Sequence, residues 1–291
     1  MRALLRHLDV DLVPVSFPAT SRARTLVADA AWYPLLRGGR VDLVHCPTFR
    51  GPFRPKVPLV VTVHDLAVLR RPEWFNRWTR AYSRIAVPRV VRAATHVIAV
   101  SEFTRGEIVD LLGVPEARIT VVANAVEEVF TPDGPHATGD YVLAVGTLEP
   151  RKNLARIAAA VDGELRVVGA RGWGGVEAPP NVTWLGDVSD AELAALYRGA
   201  RCLVYASLYE GFGIPVAEAL ACGCAVVTSA GSAMAEIAGE DAVYVDPADV
   251  GSISAGVERA SDPAARPPPR RIAEWPAVAA RTRAVYDEVV G

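Results

Sequence analysis

Two glutamates around a glycine-containing loop are the first candidates for chemistry. Glu210 and Glu218 are separated by seven residues in the run Tyr-Glu-Gly-Phe-Gly-Ile-Pro-Val-Ala-Glu. Pro215 indicates the first turn of a helix, and the glycines before it let a backbone approach a ligand closely. On that helix Glu218 has apolar neighbours, and a carboxylate there is costly unless it accepts hydrogen bonds. Ribose hydroxyls would supply them; the alternative is a surface glutamate on a short helix.

A second candidate is the pair of adjacent cations Arg151 and Lys152, in the run Gly-Thr-Leu-Glu-Pro-Arg-Lys-Asn from Gly146 to Asn153. The run follows a predicted strand and opens a predicted helix. Cations at a helix N-terminus are unfavourable with the helix dipole unless an anion binds there. Free backbone N–H groups at a helix start bind phosphate, and arginine and lysine neutralise it. A phosphate site and a solvated first turn are both compatible with these residues.

The remaining residues with reactive side chains give weaker signals. Cys222 and Cys224 stand too close together for the usual zinc pairing, so reduced, partly buried thiols in a cytosolic protein are the better interpretation of the four cysteines. His64 closes a predicted strand, a position where histidine is more often structural than catalytic. We therefore predict no metal site.

Short β-branched runs alternate with amphipathic stretches almost throughout the chain. This alternation is typical of an α/β fold with parallel sheets. The predicted strands are 10–15, 41–45, 58–63, 95–100, 119–122, 141–145, 165–168, 182–185, 202–205 and 225–228. The predicted helices are 73–92, 103–112, 152–161, 189–198, which a capping box opens, 215–221 and 271–290.

A polar, turn-rich segment near residue 135 divides this alternation into two halves. The sequence predicts Rossmann-like domains at 1–135 and 136–265, followed by a linker and helix, 266–291, that packs back on the first domain. Residues 263–271 contain four prolines and three arginines, which is a linker composition. Ligands of open α/β sheets bind beyond the carboxyl ends of the strands. Both motifs follow predicted strands, so we expect them in a cleft between the domains.

Composition argues against several classes of protein. Hydrophobic residues make up 51% of the 291 residues and the net charge is −2, which gives no reason to expect a nucleic-acid partner. No apolar run approaches the roughly 20 residues that span a bilayer. The first residues turn polar at His7 and Asp9, unlike a signal peptide. We therefore expect a cytoplasmic protein.

Two other nucleotide-dependent classes lack their motifs. A nicotinamide-dependent oxidoreductase needs G-x-G-x-x-G after a strand, whereas the glycine run at 169–174 has the spacing reversed. A P-loop kinase needs G-x-x-x-x-G-K-[ST], which the sequence does not contain.

Taken together, the two motifs resemble those of the GT-B retaining glycosyltransferases of family 4, which carry an E-x7-E motif. The resemblance runs from about Val41 to the C-terminus. It implies an α/β protein of the GT-B fold, with two Rossmann-like domains facing across a cleft. The N-terminal domain would bind the acceptor and the C-terminal domain the nucleotide-sugar donor.

The resemblance also implies a role for each matching residue. His64 and Glu210 would be catalytic, beside the transferred sugar. Glu218 would bind the donor ribose, and Arg151 and Lys152 would neutralise the diphosphate without a metal. The other implied donor contacts are Gly146, Val188, Asp190, Gly211, Phe212, Gly213 and Ile214, and the implied cleft residues are Ser101 and Asn124.

The chain departs from the family pattern at three places. Thr147 stands where an arginine is common, so Arg151 must neutralise alone there or a contact is missing. Alanines replace the proline and glycine around Asn124. Family members usually begin with a strand, a glycine-rich loop and a helix, whereas this sequence begins near the end of such a helix. We therefore expect the N-terminal domain to lack its first strand and glycine-rich loop.

The resemblance implies that a hexose moves from a nucleotide-sugar to a glycan or lipid-linked acceptor, with retention and with no cofactor. The form of the Arg151 motif looks like that of mannosyltransferases using GDP-mannose. The alternative is a truncated, non-catalytic remnant that binds a nucleotide-sugar.

An arginine-rich, aromatic stretch in the first half has two interpretations. It contains Arg70, Arg71, Arg77, Arg80, Arg84 and Arg89 with Trp74, Phe75 and Trp78. Such a helix can contact anionic lipid as a peripheral anchor at the inner face of a membrane. It can equally be a solvated face over a packed core.

Overall fold

The computed structural model describes residues 2–15, 17, 21–36, 39–170 and 181–291. The chain forms two compact units, one comprising Met1–Ala123 with Trp275–Gly291 and the other Asn124–Glu274. Residues 171–174 of the glycine run considered for nicotinamide binding lie outside the described residues.

The first unit contains a four-stranded parallel sheet with its strands in sequence order. The strands are β1 (Val44–Cys46), β2 (Leu59–Val63), β3 (His96–Ala99) and β4 (Ile119–Val121). The helices are α1 (Arg2–His7), α2 (Arg22–Val27), which continues as a π-helical turn, α3 (Ala67–Arg70), α4 (Arg77–Ala93) and α5 (Glu102–Leu112). Every residue of β2 and β3 is buried, as expected for a parallel sheet covered on both faces.

The second unit contains a six-stranded parallel sheet of order β10-β9-β8-β5-β6-β7. The strands are β5 (Tyr141–Val145), β6 (Glu164–Val168), β7 (Val182–Gly186), β8 (Leu203–Tyr205), β9 (Val226–Ser229) and β10 (Val243–Val245). The helices are α6 (Leu154–Ala160), α7 (Asp190–Gly199), α8 (Ile214–Ala221), α9 (Ala233–Ala238) and α10 (Val250–Ala260). The strand order reverses between β5 and β8, which is the switch point where doubly wound sheets bind ligands.

Most predicted elements are present within a few residues, but one predicted strand is wrong. Residues 10–15 form no strand in the structure, and Leu12, Val13 and Val15 are exposed. Their β-branched pattern has no sheet to pack against, so it does not become a strand. The predicted elements do not include α2, α3, α9, β10 or α10, and in α10 the glycines and serines weaken the helical signal.

The structure divides the chain at different residues from those predicted. Residues 124–135 fold with the second unit because Arg198 donates to the carbonyls of Thr131 and Pro135 at 3.0 and 2.8 Å. The proline-rich segment also stays there, where Arg270 pairs with Asp241 at 2.7 Å. Only the last helix, α11 (Trp275–Val290), belongs to the first unit, in which it packs on α1 and β3.

Gly199 at the end of α7 tests how tightly the second unit packs. A Cβ there would lie 2.1 Å from the Ala137 carbonyl oxygen, whereas a Cβ on Gly106 in α5 would have no neighbour within 4 Å. We expect Gly199→Ala to destabilise the chain by more than about 2 kcal/mol because backbone must move. Gly106→Ala, the control, should stabilise it by roughly 0.5–1 kcal/mol. Urea denaturation checks both, and equal effects would contradict the packing described.

Candidate active site

The two motifs lie on neighbouring loops at the switch point of the second sheet. One loop follows β5 and the other follows β8, and these strands are paired through Leu143 and Leu203. The Leu208 backbone N–H of the second loop donates to the Arg151 carbonyl of the first at 2.8 Å. Adjacent strands therefore bring together residues that are more than fifty positions apart in sequence.

A buried carboxylate joins the two loops through ion pairs. The Oε1 atom of Glu210 lies 2.7 Å from Lys152 Nζ, and its Oε2 atom lies 2.7 Å from Arg151 Nη1. The other guanidinium nitrogen of Arg151 pairs with Glu149 at 2.8 Å. Lys152 Nζ also donates to the Tyr205 hydroxyl at 2.6 Å and lies 4.9 Å from the centroid of that ring. The predicted diphosphate residues are thus held together around one glutamate.

The charges of this cluster control the pKa of its members. Burial raises the pKa of Glu210, but the nearby charges of Lys152 and Arg151 outweigh it and leave that pKa below its usual value. Burial lowers the pKa of Lys152, an effect that Glu210 only partly offsets. Glu210 is therefore a carboxylate at neutral pH, and it serves as the counter-ion of the two cations.

The local backbone differs from the helix predicted to begin at Lys152. Pro150–Lys152 forms a 3-10 turn, and α6 begins only at Leu154. Asn153 between them has φ 60° and ψ 24°, a left-handed conformation that is uncommon for a residue with a side chain. Its buried amide donates to the Ala206 and Pro247 carbonyls at 3.0 and 2.6 Å, which holds this conformation in place. The two cations consequently occupy a separate turn ahead of the helix.

The loop from Gly211 to Ile214 leads directly into α8. Gly213 has φ 94°, and a Cβ there would meet Met234 at 3.0 Å, so the position requires glycine. Phe212 is buried, with 4% of its surface exposed, and Pro215 lies in the first turn of α8 as predicted. The close approach of backbone that the sequence predicted is thus available in this loop.

Glu218 lies on α8, where it accepts a hydrogen bond from the Tyr197 hydroxyl on α7 at 2.9 Å. Burial raises the pKa of Glu218 from 4.5 to about 7, and the charge of Asp190 adds to this effect. Asp190 itself is exposed at the start of α7, and Val188 precedes it, half-buried. The capping box predicted for this helix is confirmed between Ser189 and Glu192.

The predicted residues of the first unit lie on its own loops. His64 follows β2, and its Nε2 contacts the Pro47 carbonyl at 3.1 Å. A carbonyl only accepts, so Nε2 carries the proton and, in the neutral ring, Nδ1 is the acceptor. His64 is exposed, yet the surrounding chain desolvates its ring in part and lowers its pKa, so the ring is mainly neutral at pH 7. Ser101 caps α5 by accepting from Thr104 N at 3.0 Å.

Asn124 begins the second unit in the loop after β4. The places predicted for Ser101 and Asn124 in a cleft stay predictions. Among the described residues, no group of three or more histidine, cysteine or acidic side chains is arranged to hold a metal ion.

Sequence reasoning missed three side chains of this site. Glu149 stands inside the run from Gly146 to Asn153. An acidic residue just before two cations is a pattern that predicts a salt bridge. Tyr205 and Tyr197 gave no such signal, because each stands in an apolar segment where a tyrosine is interpreted as part of the hydrophobic core. Their hydroxyl contacts span 53 and 21 residues of sequence.

Two α/β units, each built on a parallel sheet, define a protein of the GT-B type. The second unit has an ionic cluster at the switch point of its sheet. The fold agrees with the crystal structure of Anabaena HepE in complex with UDP and glucose, with a TM-score of 0.60 at 19% identity over 81% of this chain and 68% of that one. The sequence profile of Glycosyltransferase Family 4 matches residues 2–142, and that of Glycosyl transferases group 1 matches residues 174–272.

Two curated relatives place the chain within this family. It is 32% identical over 256 residues to the O-antigen chain mannosyltransferase B of Escherichia coli, covering 78% of this chain and 66% of that protein. It is 30% identical over 263 residues to the O-antigen chain mannosyltransferase RfbU of Salmonella typhimurium, covering 79% and 69%. The chain belongs to the family 4 glycosyltransferases, and its matched region spans about two thirds of the length of these relatives.

The raised pKa of Glu218 predicts a pH-dependent stability. The folded state holds a proton on Glu218 up to about pH 7 that the unfolded chain releases near 4.5, so stability falls as pH rises through this range. The titratable groups facing the carboxyl are Tyr197, Asp190 and Cys222. The free energy of unfolding should fall by on the order of 3 kcal/mol between pH 5 and pH 8. Glu218→Gln should remove this fall.

Urea denaturation at the two pH values measures this difference. Glu192→Gln is the control, because its capping bonds lower the pKa of Glu192 and its contribution changes only at more acidic pH. An unchanged slope in Glu218→Gln would show that this carboxyl is ionised throughout.

Proposed function

We propose that this chain is a retaining glycosyltransferase that moves a hexose from a nucleotide-sugar to a glycan or lipid-linked acceptor. The observation that carries the proposal is the cluster of Arg151, Lys152 and Glu210 at the switch point of the second sheet. In a member of this family, that is the position for the charged end of the donor.

Arg151 and Lys152 bind the donor diphosphate. Among the described contacts of Lys152 Nζ, two of its three N–H bonds point to Tyr205 and Glu210, so one serves a phosphate oxygen. Arg151 presents its planar guanidinium at the same turn, where Glu149 and Glu210 fix its position, and a guanidinium fork matches the geometry of a phosphate. These fixed charges stabilise the leaving diphosphate, so we propose that transfer requires no metal and no cofactor.

The two glutamates bind the sugars of the donor. Each oxygen of Glu210 accepts from a cation and the carboxylate also bonds to the Tyr205 hydroxyl, while its remaining acceptor capacity serves hydroxyls of the transferred hexose. Glu218 accepts from the ribose hydroxyls, which compensates the cost of its burial. The backbone of the Gly211–Ile214 loop lies against the donor, with Gly146 at the phosphates and Val188 and Asp190 at the base.

His64 contributes to the acceptor side of the reaction. Its neutral ring offers Nδ1 as a hydrogen-bond acceptor for a sugar hydroxyl, while the Pro47 carbonyl holds the other nitrogen. The acceptor hydroxyl attacks the anomeric carbon from the face that the diphosphate leaves, the bond to the diphosphate breaks, and the departing phosphate oxygen takes the hydroxyl proton, which retains the anomeric configuration. The protein's share is then positioning and electrostatics rather than a covalent nucleophile.

Mannose from GDP-mannose is the proposed donor sugar. The support is the form of the Arg151 motif together with the names of the two O-antigen mannosyltransferases that the chain resembles. The structure in complex with UDP and glucose supports a nucleoside diphosphate donor in this fold more generally.

Thermal stabilisation by nucleotides tests the proposal. GDP, UDP, dTDP, ADP and NAD are each added with and without magnesium. A ligand that binds only the folded state adds about 2.7 kcal/mol at a hundredfold excess over its dissociation constant. We expect GDP to stabilise equally with and without magnesium, and GDP-mannose to turn over with a glycan acceptor. Binding without turnover would indicate the non-catalytic remnant, and stabilisation by NAD alone would overturn the proposal.

Two substitutions separate the ends of the donor site. Lys152→Met should weaken GDP binding by roughly ten- to a hundredfold and leave guanosine binding unchanged, because only the diphosphate loses a charge partner. Glu218→Ala should weaken the binding of GDP and of guanosine by the same factor, because both ligands contain the ribose. Isothermal titration calorimetry gives the four affinities. Equal losses of GDP and guanosine in Lys152→Met would remove the phosphate role.

We also propose that α4 contacts anionic lipid at the inner face of a membrane. The helix has five arginines and no acidic residue. Arg77, Arg80 and Arg84 are exposed on the face that carries Trp78 and Ile85, with 43% and 51% of their surfaces exposed. Positive charge beside exposed apolar side chains fits a peripheral anchor. Among the described helices, none is long and apolar enough to cross a bilayer.

Charge reversal tests this contact. Arg80→Glu with Arg84→Glu should reduce binding to phosphatidylglycerol-containing vesicles at least about tenfold, because each arginine at such a surface contributes about 1 kcal/mol. Cosedimentation measures the bound fraction. Reversing the exposed Arg259 and Arg281, which lie outside α4, changes net charge equally and is the control. The same loss in both variants would show a general charge effect instead.

A further inference from the structure

Two buried tyrosines share an arrangement that the donor contacts do not explain. The Tyr205 hydroxyl contacts Lys152 Nζ at 2.6 Å, and the Tyr197 hydroxyl contacts Glu218 Oε2 at 2.9 Å. Each of these partners is a charged side chain at one end of the donor site. A tyrosine whose only task was to fill the core would be replaceable by phenylalanine, with no hydroxyl next to a charge.

The core fixes both tyrosine rings. Tyr205 is the last residue of β8, is 3% exposed, and its carbonyl accepts from the Thr228 hydroxyl at 3.0 Å. Tyr197 has no exposed surface, and its ring meets that of Phe130 edge-on at 6.0 Å between centroids. Close-packed rings keep one rotamer, so each hydroxyl is a stationary hydrogen-bonding group.

We propose that these tyrosines are positioning residues of the donor site, Tyr205 for Lys152 at the diphosphate and Tyr197 for Glu218 at the ribose. This inference rests on the proposed function, because it takes Lys152 and Glu218 as donor contacts. Nothing in either motif assigns a role to the two hydroxyls.

Tyr205 acts by ordering Lys152 before the donor arrives. A lysine side chain has four rotatable bonds, and fixing it on binding costs up to about 2 kcal/mol of conformational entropy. The hydroxyl accepts one N–H of Nζ and is itself hydrogen-bonded to Glu210, so it holds Lys152 beside its counter-ion, with the ring centroid 4.9 Å from the ammonium. With Glu210 accepting a second N–H, the direction of the third is set toward the phosphate.

Tyr197 acts on the charge of Glu218 as well as on its position. The hydroxyl donates to the carboxylate, which favours the ionised form and opposes the rise in pKa that burial causes. Burial keeps Tyr197 itself un-ionised, since its pKa lies well above the usual value. A carboxylate accepts from two ribose hydroxyls, whereas a protonated carboxyl accepts less well, so Tyr197 also sets the pH at which ribose binds.

Double-mutant cycles test whether each tyrosine acts through its partner. Tyr205→Phe and Tyr197→Phe each remove one oxygen atom and keep the packed ring, and circular dichroism checks that the fold is retained. We expect Tyr205→Phe to weaken GDP binding about tenfold, the effect of one hydrogen bond to a charged group, and to leave guanosine binding unchanged. In a Lys152→Met background, the same substitution should weaken GDP binding much less, because only the hydrogen bond between Tyr205 and Glu210 is then lost.

Tyr197→Phe is the matched counterpart at the other end. It should weaken the binding of guanosine and of GDP by the same factor. It should also raise the midpoint of the pH dependence of guanosine binding. Both effects should vanish in a Glu218→Gln background. The groups that face this carboxyl besides Tyr197 are Asp190 and Cys222, and both stay unchanged in these variants.

The outcomes separate this inference from the proposed function. If the unmodified chain binds no nucleoside diphosphate, the proposed function fails first. If it binds GDP and the tyrosine variants bind both ligands as tightly, the positioning role is overturned. Losses that remain equally large in the Lys152→Met and Glu218→Gln backgrounds would show that the tyrosines act only through the core.

Discussion

The salt bridges of Glu210 are the interaction on which the second unit's site depends. One buried carboxylate pairs with both Lys152 and Arg151, and so ties the loop after β5 to the loop after β8. A buried ion pair contributes little net stability, but losing one partner leaves an uncompensated charge and is strongly destabilising. The three residues therefore hold a single geometry together. Asn153 supports it by fixing the backbone between the cations and α6.

The same cluster links protonation to anion binding. Burial lowers the pKa of Lys152, because the site solvates the ammonium group less well than water does. A phosphate placed beside Nζ restores it, since a second negative charge favours the ammonium form. Glu149 and Glu210 balance the two cations until that point. These four side chains carry no net charge, so the proposed diphosphate would gain from its short distance to the two cations rather than from an excess of positive charge.

The sequence predicted the sheets well because parallel strands buried on both faces read as continuous apolar runs, as in β2 and β3. It failed at residues 10–15, where the same pattern meets no neighbouring strand, and at α10, whose glycines and serines hide an amphipathic face. Glu210 and Lys152 were found because their motifs are local. Tyr197 and Tyr205 were not found, because the contact of a hydroxyl with a charged group depends on tertiary packing. Such a contact has no characteristic spacing in the sequence.

The distribution of these interactions separates binding from transfer. The described contacts that organise Arg151, Lys152, Glu210 and Glu218 lie within the second unit, so the proposed nucleotide affinity would depend on that unit. His64 is oriented by Pro47 within the first unit. If the chain transfers a sugar as proposed, turnover needs both, whereas donor binding needs only the second. Substitutions at His64 should then change the rate and leave the nucleotide affinity alone, which is how a transition-state contact differs from a binding contact.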